Sequence, residues 1–217
     1  MSNILDKIKK AGLLGRGGAS FPVYLKWQAL KSEKKLKKYL VVNGSECEPG
    51  VYKDAYIIKN YSEELMRGIK LTSDFIKAQK IYFYLNKDFY QIKNKLNKIA
   101  KSIGLKTEIV FFLKPIDSGY IAGEETVILN IIEGQNIEPR LRPPFPTSQG
   151  LFGAPTLIHN IETLYNIYLL SQDKYQHKRF YSVNLANKNK GVYFLPDDLN
   201  IAEVLQQSNN YLADNSQ

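Results

Sequence analysis

Three short apolar runs, set apart by stretches of helical period, constrain this chain more than any other feature. "YLVVNG" (39–44), "KIYFYL" (80–85) and "TEIVFFL" (107–113) are of strand length and rich in β-branched and aromatic residues. Between the first two lies "SEELMRGIKLTSDF" (62–75), which has helical composition and opens on a Ser followed by acids, a capping signature. Between the second and third, Phe89, Ile92, Leu96, Ile99 and Ile103 recur at three- and four-residue steps. That period predicts a helix over 88–103, which Gly104 stops. Strands alternating with helices in this order predict an α/β fold with a parallel sheet.

Such a sheet fixes where a ligand would sit, because ligands gather in the crevice beyond the carboxyl ends of the strands. "NGSECEPG" after the first strand and "KPIDSGYIAGEET" after the third both lie at such ends. Beyond them the pattern predicts a helix over 123–134, then a structureless Pro-rich stretch over 139–155, of the kind that is usually functional. A helix over 159–170 closes the main unit, residues 1–172. Residues 173–217 read as strand, turn, strand and short helix, a partial β-grasp-like segment. Residues 3–11 read as a short helix leading into a glycine loop.

Composition removes several function classes. The single cysteine, Cys47, excludes a disulfide framework and a multi-cysteine metal or iron–sulfur site, and two histidines make a protein-held zinc improbable, so no metal site is expected. No run approaches the roughly 18 apolar residues of a membrane span, and the N-terminus lacks the features of a signal peptide. A reducing, cytoplasmic setting follows. The net charge of +9, densest at Lys26, Lys31, Lys34, Lys35, Lys37 and Lys38, is compatible with nucleic acid, an anionic partner or an anionic cofactor, and equally with a solvated basic face.

Four stretches carry candidate chemistry. "GLLGRGGASFPVYLKW" (12–27) places four glycines in seven positions. It is neither a dinucleotide fingerprint, since Ser20 stands where G-x-G-x-x-G needs its third glycine, nor a P-loop, since no Gly-Lys-Ser/Thr occurs. Gly15, Gly17 and Gly18 let backbone amides approach phosphate or a flat polar ring, Arg16 and Lys26 add positive charge, and Phe21 offers a stacking face. A tight turn between two helices would explain the glycines alone. In the second stretch, Asn43, Glu46 and Glu48 crowd a strand end; carboxylates there repel unless they accept ribose or ring hydrogen bonds or meet cations, with loop capping as the alternative. The third sets Glu124 and Glu125 at a helix N-terminus, where capping accounts for one of them. Finally, "RLRPPFP" holds Arg140, Arg142 and Phe145 in a Pro-fixed strip suited to phosphate pairing and ring stacking. Cys47 reads as a buried apolar thiol, and His159 as a hydrogen-bonded residue at a helix start.

Taken together, "GLLGRGGASFPVYLKW", "KYLVVNGSECEPGVYKD", "GYIAGEETVILNIIEG", "PRLRPPFPTSQGLFGAPT" and "NIET" resemble, in order, the NADH- and FMN-binding flavoprotein subunit of bacterial respiratory complex I. "NGSECEP" is also similar to the equivalent subunit of Rnf-type ferredoxin:NAD oxidoreductases, while "GEET" and "PPFP" favour the complex I side. The resemblance implies a Rossmann-like sheet and FMN held by Gly15, Arg16, Gly17, Gly18 and Lys26. Asn43, Glu46, Tyr120, Glu124, His159, Asn160 and Thr163 would line the same flavin. It further implies that Phe21 stacks on the adenine of NADH, that Glu48 and Glu125 contact the dinucleotide and act catalytically, and that Arg142 and Phe145 border it. The implied chemistry is hydride transfer from NADH to FMN and onward electron transfer to an iron–sulfur partner subunit or a diffusible acceptor. The setting would be peripheral to a membrane complex, with no nucleic acid as partner. The family's iron–sulfur domain needs four cysteines, so this chain is expected to hold no iron–sulfur cluster.

Ser20 replaces a usual glycine, Ser45 a usual Asp, Val23 and Tyr24 a smaller Thr-Gly pair, and Arg142 a usual Lys. These departures keep a second reading open, a non-catalytic flavin- or nucleotide-binding or scaffold protein of the same descent.

Overall fold

The computed structural model describes residues 4–35, 37–116, 118–184 and 190–209. The three apolar runs form strands β1 (Tyr39–Gly44), β2 (Lys80–Leu85) and β3 (Glu108–Leu113). A fourth, β4 (Thr156–Asn160), pairs with β1, so the sheet runs β3-β2-β1-β4 with every pairing parallel. The chain steps outward from β1 to β2 and β3, then returns to the far side of β1. This reversal makes a switch point between β1 and β4, and the register sets Asn43 opposite Asn160 at its carboxyl edge.

Both faces of the sheet are covered, which is why its strands read as continuous apolar runs. Leu40 and Val42 of β1 and Ile81, Phe83 and Leu85 of β2 join the larger core. That core is shared with α1 (Ile4–Lys10), α2 (Val23–Ser32), α3 (Lys53–Asn60), α4 (Ser62–Ile76), α5 (Lys93–Ser102) and α7 (Ile161–Ser171). Val41, Tyr84 and Ile158 point the other way, onto α6 (Glu125–Ile132) and Leu151. Helices α4 and α7 approach so closely that a Cβ added at Gly68 would lie 2.0 Å from the carbonyl oxygen of Leu164.

The strands β5 (Lys178–Val183) and β6 (Gly191–Pro196) form an antiparallel pair, followed by α8 (Ile201–Gln207) with a capping box between Asn200 and Glu203. The pair is docked, not tethered: Phe180 is buried among Tyr56, Tyr61 and Tyr165, and its amide donates to Glu162 at 3.0 Å.

Four expectations change. The stretch 139–155 leads directly into strand β4, and His159 therefore lies on a strand and not at a helix start. The five residues of β4 abut α7 without a turn signal, so their apolar positions merge into its period. The helix over 88–103 begins as a 3₁₀ segment, Lys87–Ile92, before α5, although Gly104 does stop it with φ +67°. Helix α3, the helix over 53–60, carries too weak a signal in "KDAYIIKN" to be anticipated. Cys47 is half-buried, its sulfur facing Gly123, and not enclosed in the apolar core. Asn3, the turn over 185–189 and the end of the chain near 217 lie outside the described residues.

Candidate nucleotide-binding cleft

A cleft of about 960 Å³ opens at the carboxyl ends of β1 and β4, within the usual size of small-molecule sites. One wall is the glycine loop. An isolated bridge between Leu14 and Pro22, with Gly15 N–H donating to Phe21 O at 2.9 Å, closes the loop on itself. Gly18 adopts φ +104°, which strains any residue but glycine, while Gly17 packs on Asn160, where an added Cβ would make an ordinary 3.4 Å contact with the Asn160 Cβ. Ser20 occupies the left-handed region at φ +50°, where glycine would be unstrained. Thr163, buried on the first turn of α7, accepts the Arg16 amide at 2.9 Å and so fixes the loop to the helix. The Arg16 guanidinium is 8 % exposed and paired with Asp197 beyond β6 at 2.5 Å.

The floor is a buried ionic cluster. Lys53, at the start of α3, meets Asp54 at 2.7 Å and Glu162 at 3.2 Å and donates to the Asn160 side chain at 3.1 Å. Burial works against the Lys53 charge, and the attraction of Asp54 and Glu162 outweighs it, holding the ammonium above its ordinary value. Asn160 also donates to Asp54 at 2.7 Å and caps α7 by accepting from Glu162 N–H. Glu46 accepts the Asp54 and Ala55 amides at 2.6 and 3.0 Å, capping α3. Burial, reinforced by the negative charge of Asp54, outweighs those two bonds and pushes the Glu46 carboxyl up to about 7. Asn43 donates to Gly123 O at 3.1 Å and accepts from the Ser45 hydroxyl at 2.7 Å, tying the end of β1 to the loop before α6.

The opposite wall carries the paired acids. Glu124 is the N-cap of α6, accepting from Thr126 and Val127 amides at 2.8 and 3.0 Å, and its second oxygen pairs with Arg142. Capping thus accounts for Glu124, as the sequence allowed for one of the two. Glu125 is free of that duty and pairs with Lys26. Trp27 Nε1 donates to His159 Nε2 at 2.9 Å, and burial, aided by Lys26, pushes the imidazole well below its ordinary value, so His159 is a neutral acceptor. Phe21, Tyr120, Phe145 and Glu48 are exposed at the mouth.

Every residue implicated by the family resemblance lines this one cleft, from Gly15 in the loop to Thr163 on α7. Arg140 does not join them: it turns toward α6, pairing with Glu133 at 2.9 Å and donating to Asn130 at 2.7 Å. Sequence reasoning missed Lys53, Asp54 and Glu162, and the β5 residues Arg179 to Ser182 that form the remaining wall. The signal for Lys53 and Asp54 was present, since the motif "VYKD" runs through them. Nothing local marks β5 as part of a site. No group of three or more His, Cys, Asp or Glu among the described residues could hold a metal ion.

A parallel sheet whose switch point opens into a cleft of glycine amides, paired carboxylates and exposed aromatic rings defines an α/β protein with a candidate ligand site at the position where such folds hold nucleotides. Comparison with known proteins makes this specific: the family model described as the Nuo51 FMN-binding domain matches residues 8–169, and the chain belongs to that family. The F subunit of the NADH-quinone oxidoreductase of Rickettsia bellii (strain OSU 85-389) is 38% identical over 172 residues, covering 74% of this chain and 41% of the relative. Its counterpart in Escherichia coli (strain K12) is 30% identical over 226 residues, covering 94% and 51%. Among solved structures, the NAD+-reducing [NiFe]-hydrogenase in the H2-reduced state superposes with a TM-score of 0.86 at 28% identity, over 94% of this chain and 38% of that one. The chain thus spans about half or less of the length of the relatives it matches.

Proposed function

We propose that this chain binds FMN in the cleft and oxidises NADH, passing electrons to an iron–sulfur protein partner or a diffusible acceptor. One observation carries the reading. Five motifs spread over residues 12–163 supply the residues that the family resemblance implicates, and all of those residues line a single cleft at the switch point. The names of the relatives, an NADH-quinone oxidoreductase and an NAD+-reducing hydrogenase, support the same substrate class.

The residues present fit the cofactor. Gly17 and Gly18 keep the loop backbone free of side chains beside Asn160, and a residue with a Cβ at Gly18 would be held at an unfavourable φ. Asn43, Asn160 and Glu46 present polar atoms from fixed positions, each already oriented by a second bond. Neutral His159 adds no positive charge to the cleft floor. Bound FMN would supply the two-electron acceptor for a hydride and the one-electron donor for the next carrier. The chain's own share is to hold the nucleotide between glycine amides and the α7 end, to present Phe21 and Phe145 to an aromatic base, and to place Glu48 and Glu125 beside the dinucleotide. Lys26 balances the Glu125 charge, and a ligand contacting either residue must compete with that pair. In this reading residues 1–172 form the nucleotide-binding unit and 173–217 an appended β-grasp-like segment. No helix of the described residues is long and apolar enough to cross a membrane, and we place the protein in the cytoplasm, peripheral to a membrane complex.

Glu125→Gln separates the two ligands. It should slow reduction by NADH roughly tenfold or more, the value of a charge-assisted hydrogen bond, while FMN affinity stays unchanged. Loss of FMN instead would show that Glu125 serves the flavin and that its assignment to the dinucleotide is wrong.

A further inference from the structure

Among the described residues, five cationic side chains line the cleft: Arg16, Lys26, Lys53, Arg142 and Arg179. Four are neutralised by carboxylates, Arg16 by Asp197, Lys26 by Glu125, Lys53 by Asp54 and Glu162, and Arg142 by Glu124. Arg179 on β5 has no carboxylate partner among the described residues. Its guanidinium lies 5.4 Å from the centre of the Tyr181 ring, and its Nε is buried without an acceptor. A buried donor left unpaired is costly, and a guanidinium so placed in a nucleotide cleft is suited to an anion.

The neighbours of Arg179 say which end of the cleft it serves. On one side, the Lys178 carbonyl accepts from the Arg16 guanidinium at 3.5 Å. On the other, the Phe180 amide donates to Glu162 on the first turn of α7 at 3.0 Å. Arg179 is therefore held beside the glycine loop and the start of α7, where Gly17 packs on Asn160 and Thr163 fixes the loop. The acids Glu124 and Glu125 with Arg142 belong to the opposite wall.

From this placement we infer that Arg179 is a phosphate-binding residue of the cleft, taking the phosphate ester of the nucleotide held against the glycine loop. The inference rests on the flavin reading for the identity of that ester, the 5′-phosphate of FMN. It also gives β5 a share in the site, although β5 lies beyond residues 8–169 matched by the family model. Arg16 Nε is also buried without an acceptor, but Arg16 and the three other cations each already hold a carboxylate, whereas the Arg179 fork has its full charge to offer two phosphate oxygens.

The test compares FMN with riboflavin, which lacks the phosphate, by fluorescence titration of the full chain and its Arg179→Gln and Arg179→Lys variants. Arg179→Gln should weaken FMN binding about tenfold or more and riboflavin binding less than about twofold, with Arg179→Lys between, as expected for one lost charge-assisted bond. In a parallel thermal-unfolding series on ligand-free protein, inorganic phosphate should raise the Tm of the wild type more than that of Arg179→Gln. Unchanged FMN affinity in Arg179→Gln, or equal losses for both flavins, would overturn the assignment. A wild type that takes up neither flavin would sink the flavin reading instead. The phosphate series then decides Arg179 alone: a phosphate effect that depends on it upholds the anion site, and one indifferent to it refutes that site.

Discussion

Glu46 shows how much one side chain in this cleft has to reconcile. Its two oxygens cap α3, its backbone takes φ +37°, and its neighbour Asp54 is itself charged. The carboxyl rises from 4.5 to about 7, so the folded state holds this proton more tightly than the unfolded chain. A raised acid contributes stability that is complete below about pH 4.5 and is lost as pH rises through about 7. Over that window the contribution is on the order of 3 kcal/mol. Glu46→Gln cannot titrate, so its urea unfolding free energy should fall less between pH 4.5 and 7 than that of the wild type; parallel profiles would show that another group governs the window. Individual site residues such as Glu46 and Asn43 were legible because carboxylate and amide crowding at a strand end is unusual. Their tasks were not. That Arg16 is committed to Asp197, for example, depends on a neighbour 181 residues distant in sequence.

Among the elements, β1, β2 and β3 could be read almost to the residue, because strands covered on both faces announce themselves as apolar runs, even β3, whose edge position leaves its apolar side chains half-buried. Strand β4 could not, since "TLIHN" is short and runs directly into α7. Missing it hid the switch point, although both halves of its edge, Asn43 and Asn160, were already singled out. Gly68 is a second case of silence: within "MRGIK" it looks like a mild flaw in a helix. In the fold it is the point where α4 touches the α7 backbone, with no room for a methyl group. Gly68→Ala, which normally stabilises an exposed helix, should here destabilise the protein by about 3 kcal/mol by forcing the two helices apart. Chemical denaturation measures it, and a neutral or stabilised variant would mean that α4 and α7 are not packed this closely.

Across the whole molecule, the cleft is assembled from parts that are remote in sequence: a loop near the start, the ends of two strands, the first turns of two helices and a hairpin near the end. The hairpin is not an ornament on this arrangement. Phe180, Glu162 and the Arg16–Asp197 pair bind it to the glycine loop and to α7. The resemblance located most of the lining, and what it could not locate is the β5 wall, since nothing in "KRFYSV" marks it as part of a site. Everything proposed for the molecule turns on whether this assembly holds FMN and delivers electrons to it from NADH. Anaerobic titration of the FMN-loaded full chain with NADH decides that point. Equimolar NADH should bleach the visible flavin absorption, and readmitted oxygen or an added acceptor should restore it. A chain that remains colourless after incubation with FMN, or whose bound flavin stays oxidised under excess NADH, would refute the assignment.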